Sequence, residues 1–218
     1  PTSEQLAYLS QYLNDTYPAK RQYILRPLPY DTTPAQLDVA AESAILVDTA
    51  NGCVLYEKNA DEAIPPASIT KLFVMYIVFQ EIEAGRISLD DIVPLPENSW
   101  AINLPSDASL MFLGQGQIVT LRELMRGLAV ASGNDAAIAV ATYISGSVKD
   151  FVTRMNAEAQ NLGLQYTHFE EPSGYSENNI TTARELATFA RVYINRYPQS
   201  LTDFHSVAEI AYPLPANL

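Results

Sequence analysis

Hydrophobic and polar positions change their spacing several times along this chain. Ser43 to Val47 and Val54 to Lys58 are short β-prone runs separated by Asp48-Thr49-Ala50-Asn51-Gly52-Cys53. Asn-Gly between two such runs predicts an antiparallel hairpin. Pro65-Pro66-Ala67 then opens a helix over Ser68 to Ala84, with Gly85 placed to end it. Leu72 to Phe79 is apolar without interruption, which leaves the helix no solvent face and predicts that it runs through the centre of the domain. Thr120-Leu121-Arg122-Glu123 and Thr182-Ala183-Arg184-Glu185 both have capping-box spacing and predict helices to about Ala131 and Arg196. Between them, Asp135 to Ile144 reads as a helix, and Ser147 caps another that reaches Asn161 and stops at Gly163. Ser132-Gly133-Asn134 interrupts the helical region as a short loop. Gly114-Gln115-Gly116 has no adjacent lysine and leads into Ile118-Val119, so it reads as a tight turn and not a phosphate loop. Residues 1–35 read as an N-terminal extension, an amphipathic helix over Glu4 to Leu13 followed by a proline-rich arm that packs against the domain.

Composition narrows the function. The 218 residues hold one large or two small domains at about 150 residues each. A net charge of −12 leaves no basic surplus for a phosphate backbone, so no nucleic-acid partner is expected. The longest apolar run, Leu72 to Phe79, is far short of the roughly 20 residues that a membrane helix needs. Cys53 is the single cysteine, and His168 and His205 stand far apart, so neither a disulfide framework nor a metal site is expected. No cation adjoins Cys53, which reads as a packing thiol. The chemistry therefore falls to hydroxyls, amines, amides and carboxylates, with no cofactor.

Ser68-Ile69-Thr70-Lys71 puts a hydroxyl and an amine three residues apart at a helix start, where i and i+3 side chains share a face. Serine becomes a nucleophile only when a base removes its proton, and lysine is that base only when its pKa falls toward neutrality. The neighbouring apolar run and the positive end of the helix dipole both push in that direction. The competing reading is a helix cap followed by a solvated lysine. Ser132-Gly133-Asn134 taken alone is a turn with an N-cap.

Together, Pro66-Ala67-Ser68-Ile69-Thr70-Lys71 and Ala131-Ser132-Gly133-Asn134-Asp135-Ala136-Ala137, 64 positions apart, resemble the S-x-x-K and S-x-N motifs of the penicillin-binding serine D,D-peptidases. The resemblance runs from about Gln36 to Tyr197 and takes in Ser43 to Asp48, Tyr56 to Ala60, Ser109 to Phe112, Leu162-Gly163, Thr167 to Phe169 and Thr181 to Glu185. It is most similar to the low-molecular-mass D-alanyl-D-alanine carboxypeptidases. The resemblance implies a fold of the α/β class (α+β type), an antiparallel sheet with flanking helices and a helical subdomain, spanning a D,D-peptidase domain over residues 36–218. It implies Ser68 as the acylated nucleophile, Lys71 as its general base, Ser132 as proton shuttle to the leaving amine and Asn134 as a hydrogen-bonding partner of the substrate peptide. His168 matches a family histidine outside these motifs and reads as structural. The implied partners are the peptidoglycan stem peptide and β-lactam antibiotics, and the implied location is outside the cytoplasm, with any membrane association carried by sequence outside these residues.

The family's third motif, Lys-Thr-Gly or His-Thr-Gly, does not occur in the 218 residues. A two-stranded hairpin is marginal alone, so we expect a chain truncated before its C-terminal strands, or one that completes its sheet with another chain. In the family the third-motif strand also lends an oxyanion-hole donor, whose loss costs about 10²–10³ in rate, so the isolated chain is expected to be nearly inactive. Two enzymatic alternatives share the Ser68-Lys71 motif, and the first of them uses the whole residue set. A D,D-endopeptidase would act on cross-links. A class A β-lactamase would need a deacylating glutamate in a loop ending Leu-Asn, which Glu170-Glu171-Pro172-Ser173-Gly174 does not continue into. A third alternative is a non-catalytic module that binds cell-wall peptide or β-lactam.

Overall fold

The structure, a computed structural model, describes residues 2, 5, 25–29 and 37–218. The helix expected over Glu4 to Leu13, and the boundary drawn at residue 35, lie outside the described residues. Among those described, strand β1 (Ala44–Val47) pairs antiparallel with β2 (Val54–Lys58). A short 3-10 turn (Ala67–Thr70) leads into α1 (Lys71–Glu83). Helices α2 (Leu121–Val130), α3 (Asn134–Ser145), α4 (Val148–Asn161) and α5 (Ala183–Arg196) follow.

The hairpin forms as its turn chemistry requires. Gly52 adopts a φ of 79°, and the turn closes through Asp48 N–H to Cys53 O at 2.9 Å and Gly52 N–H to Asp48 O at 2.7 Å. A bulge between Leu46 and Val47 shifts the register beside the turn. Arg26 adds one bridge beyond the hairpin, its N–H donating to Gly52 O and its carbonyl accepting from Val54 N–H. Leu46 and Leu55 remain about half exposed. The architecture is therefore mostly helical with a small two-stranded sheet, less than the full antiparallel sheet that the fold class implies.

Helix α1 is the core. Phe73, Val74, Met75, Tyr76, Ile77 and Val78 are all at most 1% exposed, as a helix apolar on every side must be. Helices α2, α3 and α4 pack around it. Phe189 of α5 stacks on Phe73 with centroids 3.8 Å apart, and Tyr197, just past the end of α5, stacks on Phe79 at 5.1 Å. Such aromatic contacts add about 0.5–1.5 kcal/mol each beyond the burial of area. Only Lys71 and Glu81 bring charge into the buried length of α1. Glu81 is paired with both Arg86 and Arg154.

The helix starts at Thr120, Ser147 and Thr182 follow the sequence, whereas α1 begins at Lys71 and not at Ser68. Thr120 and Glu123 form the full capping box, Glu123 N–H donating to Thr120 Oγ1 at 3.2 Å and Thr120 N–H to Glu123 Oε2 at 2.8 Å. At α5 only half of the box forms. Thr182 Oγ1 accepts from Glu185 N–H, but the Glu185 carboxylate turns away to accept from Gln165 N–H, Tyr166 N–H and Thr167 Oγ1. Three donors from a neighbouring turn outcompete one from its own helix. Among the described residues, no helix is long and apolar enough to cross a membrane.

Candidate active site

The Ser68-Lys71 pair is assembled by a turn and by a loop distant in sequence. Ser68 lies in the 3-10 turn and not in the α-helix proper, a correction to a helix starting at Ser68. The tighter turn favours the contact, because 3-10 geometry eclipses i and i+3 side chains. Lys71 Nζ lies 3.1 Å from Ser68 Oγ in hydrogen-bond contact. Ser68 itself is exposed, whereas Lys71 is only 3% exposed.

The second partner of Lys71 is Ser173 O, which accepts from Nζ at 2.6 Å. Burial pulls the Lys71 pKa down from 10.5 to about 8, against the opposing pull of the Glu171 and Asp135 carboxylates, which favour the ammonium. A substantial fraction of neutral amine is thus present near pH 8, as a general base needs. The reading of Lys71 as a solvated first-turn residue is excluded by its burial.

Close backbone packing holds the turn. Ala67 has a φ of 47°, an uncommon value for a residue with a Cβ. Gly174, at φ 79°, lies so near that a Cβ there would stand 1.8 Å from Ala67 O. The loop from Glu170 to Asn179 is thereby seated on the peptide that carries the nucleophile.

Ser132 and Asn134 arrive on the start of α3, which packs against α1. Ser132 has a φ of 52°. Its Oγ is buried without a hydrogen-bond partner among the described residues, a costly state for a hydroxyl. Neither residue is used as a cap: the cap of α3 is Gly133, with no side-chain capping bond. A Cβ at Gly133 would come within 2.7 Å of Asp135 Oδ1 and 3.1 Å of Met111 Cβ, which explains the glycine between the two polar residues. Asn134 N–H donates to Ser109 O at 2.7 Å. The fully buried Asp135 carboxylate accepts from Met111, Leu113 and Ala136 N–H, tying segment 109–113 to this corner. Ser68 and Lys71 are therefore in direct contact. The start of α3 is near enough for Asp135 to act on the Lys71 charge.

His168 stands apart. Its side chain is exposed, and its N–H and carbonyl pair with Ile180 at 2.8 Å each. The site also contains residues that the sequence reading passed over, namely Glu171, Ser173, Gly174 and Asn179. The acceptor at Lys71 is a backbone carbonyl, for which no side-chain pattern exists. In the sequence, Glu170 to Gly174 entered only as a stretch that does not continue into the Leu-Asn of a class A β-lactamase loop.

A family model described as D-alanyl-D-alanine carboxypeptidase, peptidase S11, matches residues 30–210. The chain belongs to this family. It is 36% identical over 176 residues to the D-alanyl-D-alanine carboxypeptidase DacF of Bacillus subtilis, covering 80% of this chain and 44% of that one. Among solved structures it is similar to the D-alanyl-D-alanine carboxypeptidase DacD from Francisella tularensis, with a TM-score of 0.74 and 37% identity over 79% of this chain and 41% of that one. It is also similar to Penicillin-Binding Protein D2 from Listeria monocytogenes in the cefotaxime-bound form, with a TM-score of 0.69 and 28% identity over 78% of this chain and 68% of that one. The chain spans less than half the length of the first curated relatives it matches. Its relatives are thus low-molecular-mass penicillin-binding proteins and serine carboxypeptidases, and β-lactam binding occurs among them.

Proposed function

We propose that this chain carries the acylation half of a peptidoglycan D-alanyl-D-alanine carboxypeptidase acting outside the cytoplasm. The observation that carries the reading is the Ser68-Lys71 contact of 3.1 Å, with the amine buried and its pKa brought down to about 8.

Neutral Lys71 takes the Ser68 hydroxyl proton as Oγ attacks the carbonyl carbon of the penultimate D-alanine of a stem pentapeptide. The tetrahedral intermediate collapses, the C–N bond breaks, and terminal D-alanine leaves as its amine receives a proton through Ser132. Water then attacks the ester, Lys71 takes a proton from it, and that proton passes to Ser68 Oγ as the ester C–O bond breaks and the shortened peptide leaves as its carboxylate. Asn134 hydrogen-bonds the substrate's peptide group. The roles of Ser132 and Asn134 rest on the family's motif. An unpartnered buried hydroxyl at Ser132 suits a group that exchanges protons with a bound substrate. A β-lactam would enter the same first step, with ring opening in place of departure of D-alanine.

The test is the intact mass of the protein before and after incubation with a penicillin, with Ser68→Ala alongside. Because the third-motif donor does not occur in these 218 residues, acylation is expected to be about 10²–10³ slower than with a complete oxyanion hole, and an adduct that accumulates on the parent protein over long incubation and is absent from Ser68→Ala is the expected result. No adduct on either protein would replace this reading with a module that binds cell-wall peptide or β-lactam without acylation. Release of D-alanine from a pentapeptide, compared with cleavage of a cross-linked dimer, separates carboxypeptidase from endopeptidase.

A further inference from the structure

We infer that Glu171, locked by Asn179, is a positioning residue for the general base: its carboxylate folds the 171–176 loop so that Ser173 O is held against Lys71 Nζ. This inference rests on the reading of Lys71 as the base for Ser68. It assigns to Glu171 a function that the S-x-x-K and S-x-N motifs do not contain.

The geometry is built from both ends of the glutamate. Oε2 accepts from Ser173 N–H at 2.7 Å and from Ser173 Oγ at 2.5 Å, and Oε1 accepts from Gly174 N–H at 2.5 Å and from Ser176 N–H at 3.4 Å. A carboxylate that accepts several backbone N–H groups organises them as an anion in a nest does. With Ser173 N–H and Gly174 N–H both turned toward Glu171, the intervening carbonyl is turned away from it, and Lys71 Nζ is the donor it meets at 2.6 Å.

Asn179 completes the lock. It is fully buried, and its Nδ2 donates to Glu171 Oε1 at 3.1 Å, to Glu171 O at 3.0 Å and to Thr70 Oγ1 at 3.3 Å. Its Oδ1 accepts from Glu170 N–H and Glu171 N–H. The amide thus joins the loop to Thr70, the last residue of the nucleophile's turn and the neighbour of Lys71. On the other side, Gly174 fits against the Ala67-Ser68 peptide with no room for a Cβ.

The consequence for proton transfer is directional. An amine that gives one hydrogen to a fixed carbonyl has its remaining substituents, including the lone pair of the neutral form, held in a defined orientation toward Ser68 Oγ. Without that anchor the lysine is free to rotate about its terminal torsions, and a misplacement of about 1 Å can cost about 10²-fold. The carboxylate has a second effect by charge. The charged groups acting on Lys71 are Glu171 from the loop and Asp135 from α3, and both favour the ammonium. Removing Glu171 leaves Asp135 as the remaining one.

The test uses Glu171→Gln and Asn179→Ala in the full chain, read two ways. The Lys71 amine is titrated by NMR with lysine labelled at Cε, which requires no acylation, and the rate of penicillin adduct formation is followed against pH. Glu171→Gln is expected to slow acylation by up to about 10²-fold at high pH and to move the Lys71 titration midpoint to lower pH than in the parent. Asn179→Ala keeps the carboxylate charge, so it is expected to slow acylation while leaving the midpoint less displaced than Glu171→Gln does. A midpoint that stays in place or rises in a folded Glu171→Gln protein overturns the inference, as does an unchanged acylation rate in both variants. If the parent protein forms no adduct, the first two motifs do not acylate by themselves and the proposed acylation by these residues fails. The NMR midpoint then still decides whether Glu171 acts on Lys71.

Discussion

Ser173 O and Lys71 Nζ meet at 2.6 Å across 102 positions of sequence. This bond places a backbone carbonyl beside a buried amine that is already within reach of Ser68 Oγ. A carbonyl stabilises the ammonium less than a carboxylate in direct contact would, so burial prevails and the Lys71 pKa falls to about 8.

Acylation is therefore expected to follow the neutral fraction of Lys71. Its rate with a penicillin should rise with pH and level off above about 8. Lys71→Arg keeps the charge but offers no neutral base near that pH, and its acylation is expected to fall by about 10²–10⁴. Rates of adduct formation from pH 6 to 10 check both statements. A flat profile in the parent protein would remove Lys71 from the role of base.

Gly174→Ala is expected to damage both stability and the site. The new methyl would stand 1.8 Å from Ala67 O at a φ of 79°, so either the loop or the turn carrying Ser68 must move. A destabilisation of about 1–3 kcal/mol is expected from the backbone strain alone, with loss of acylation. Denaturant unfolding and adduct formation measure the two effects separately.

Ser132→Ala is expected to divide stability from function. The hydroxyl is buried without a partner, so removing it relieves a desolvation penalty. Stability should stay within about 1 kcal/mol of the parent or rise, while D-alanine release from a pentapeptide falls. A clear loss of stability by urea denaturation would show that the hydroxyl is satisfied in solution.

Glu81 gives the fold a dependence on acid. Its two arginine partners hold its carboxyl at about 2, below the ordinary 4.5. A pKa lowered by folding contributes stability that is fully present above 4.5 and is lost as pH falls through 2. The full shift corresponds to roughly 3 kcal/mol, and the solvent exposure of Arg86 reduces this to about 1–3 kcal/mol. Glu81→Gln should cost that amount at pH 7 and lose most of its effect near pH 2, as urea unfolding at the two pH values would show.

Much of this was legible in the chain itself. The hairpin at Asn51-Gly52, the buried helix from its unbroken apolar run, the Thr120 capping box, and Ser68 with Lys71 on one face all follow from local rules that span a few residues. The Thr182 box was legible only in half, because Glu185 had donors from segment 165–167 that spacing along the chain does not reveal. The 3-10 turn under Ser68 was likewise invisible, since it depends on Gly174 approaching from more than 100 positions away.

Residue types and short spacings by themselves determined the chemistry available, a hydroxyl beside an amine, and the helices that would carry it. Tertiary structure alone decided that the amine is buried, that Ser173 O is its acceptor, and that Glu171 and Asn179 hold that carbonyl in place. The physical reason is that desolvation and backbone hydrogen bonds belong to the packed chain. A carbonyl is present at every position of the sequence, and only the fold selects the one that meets Lys71.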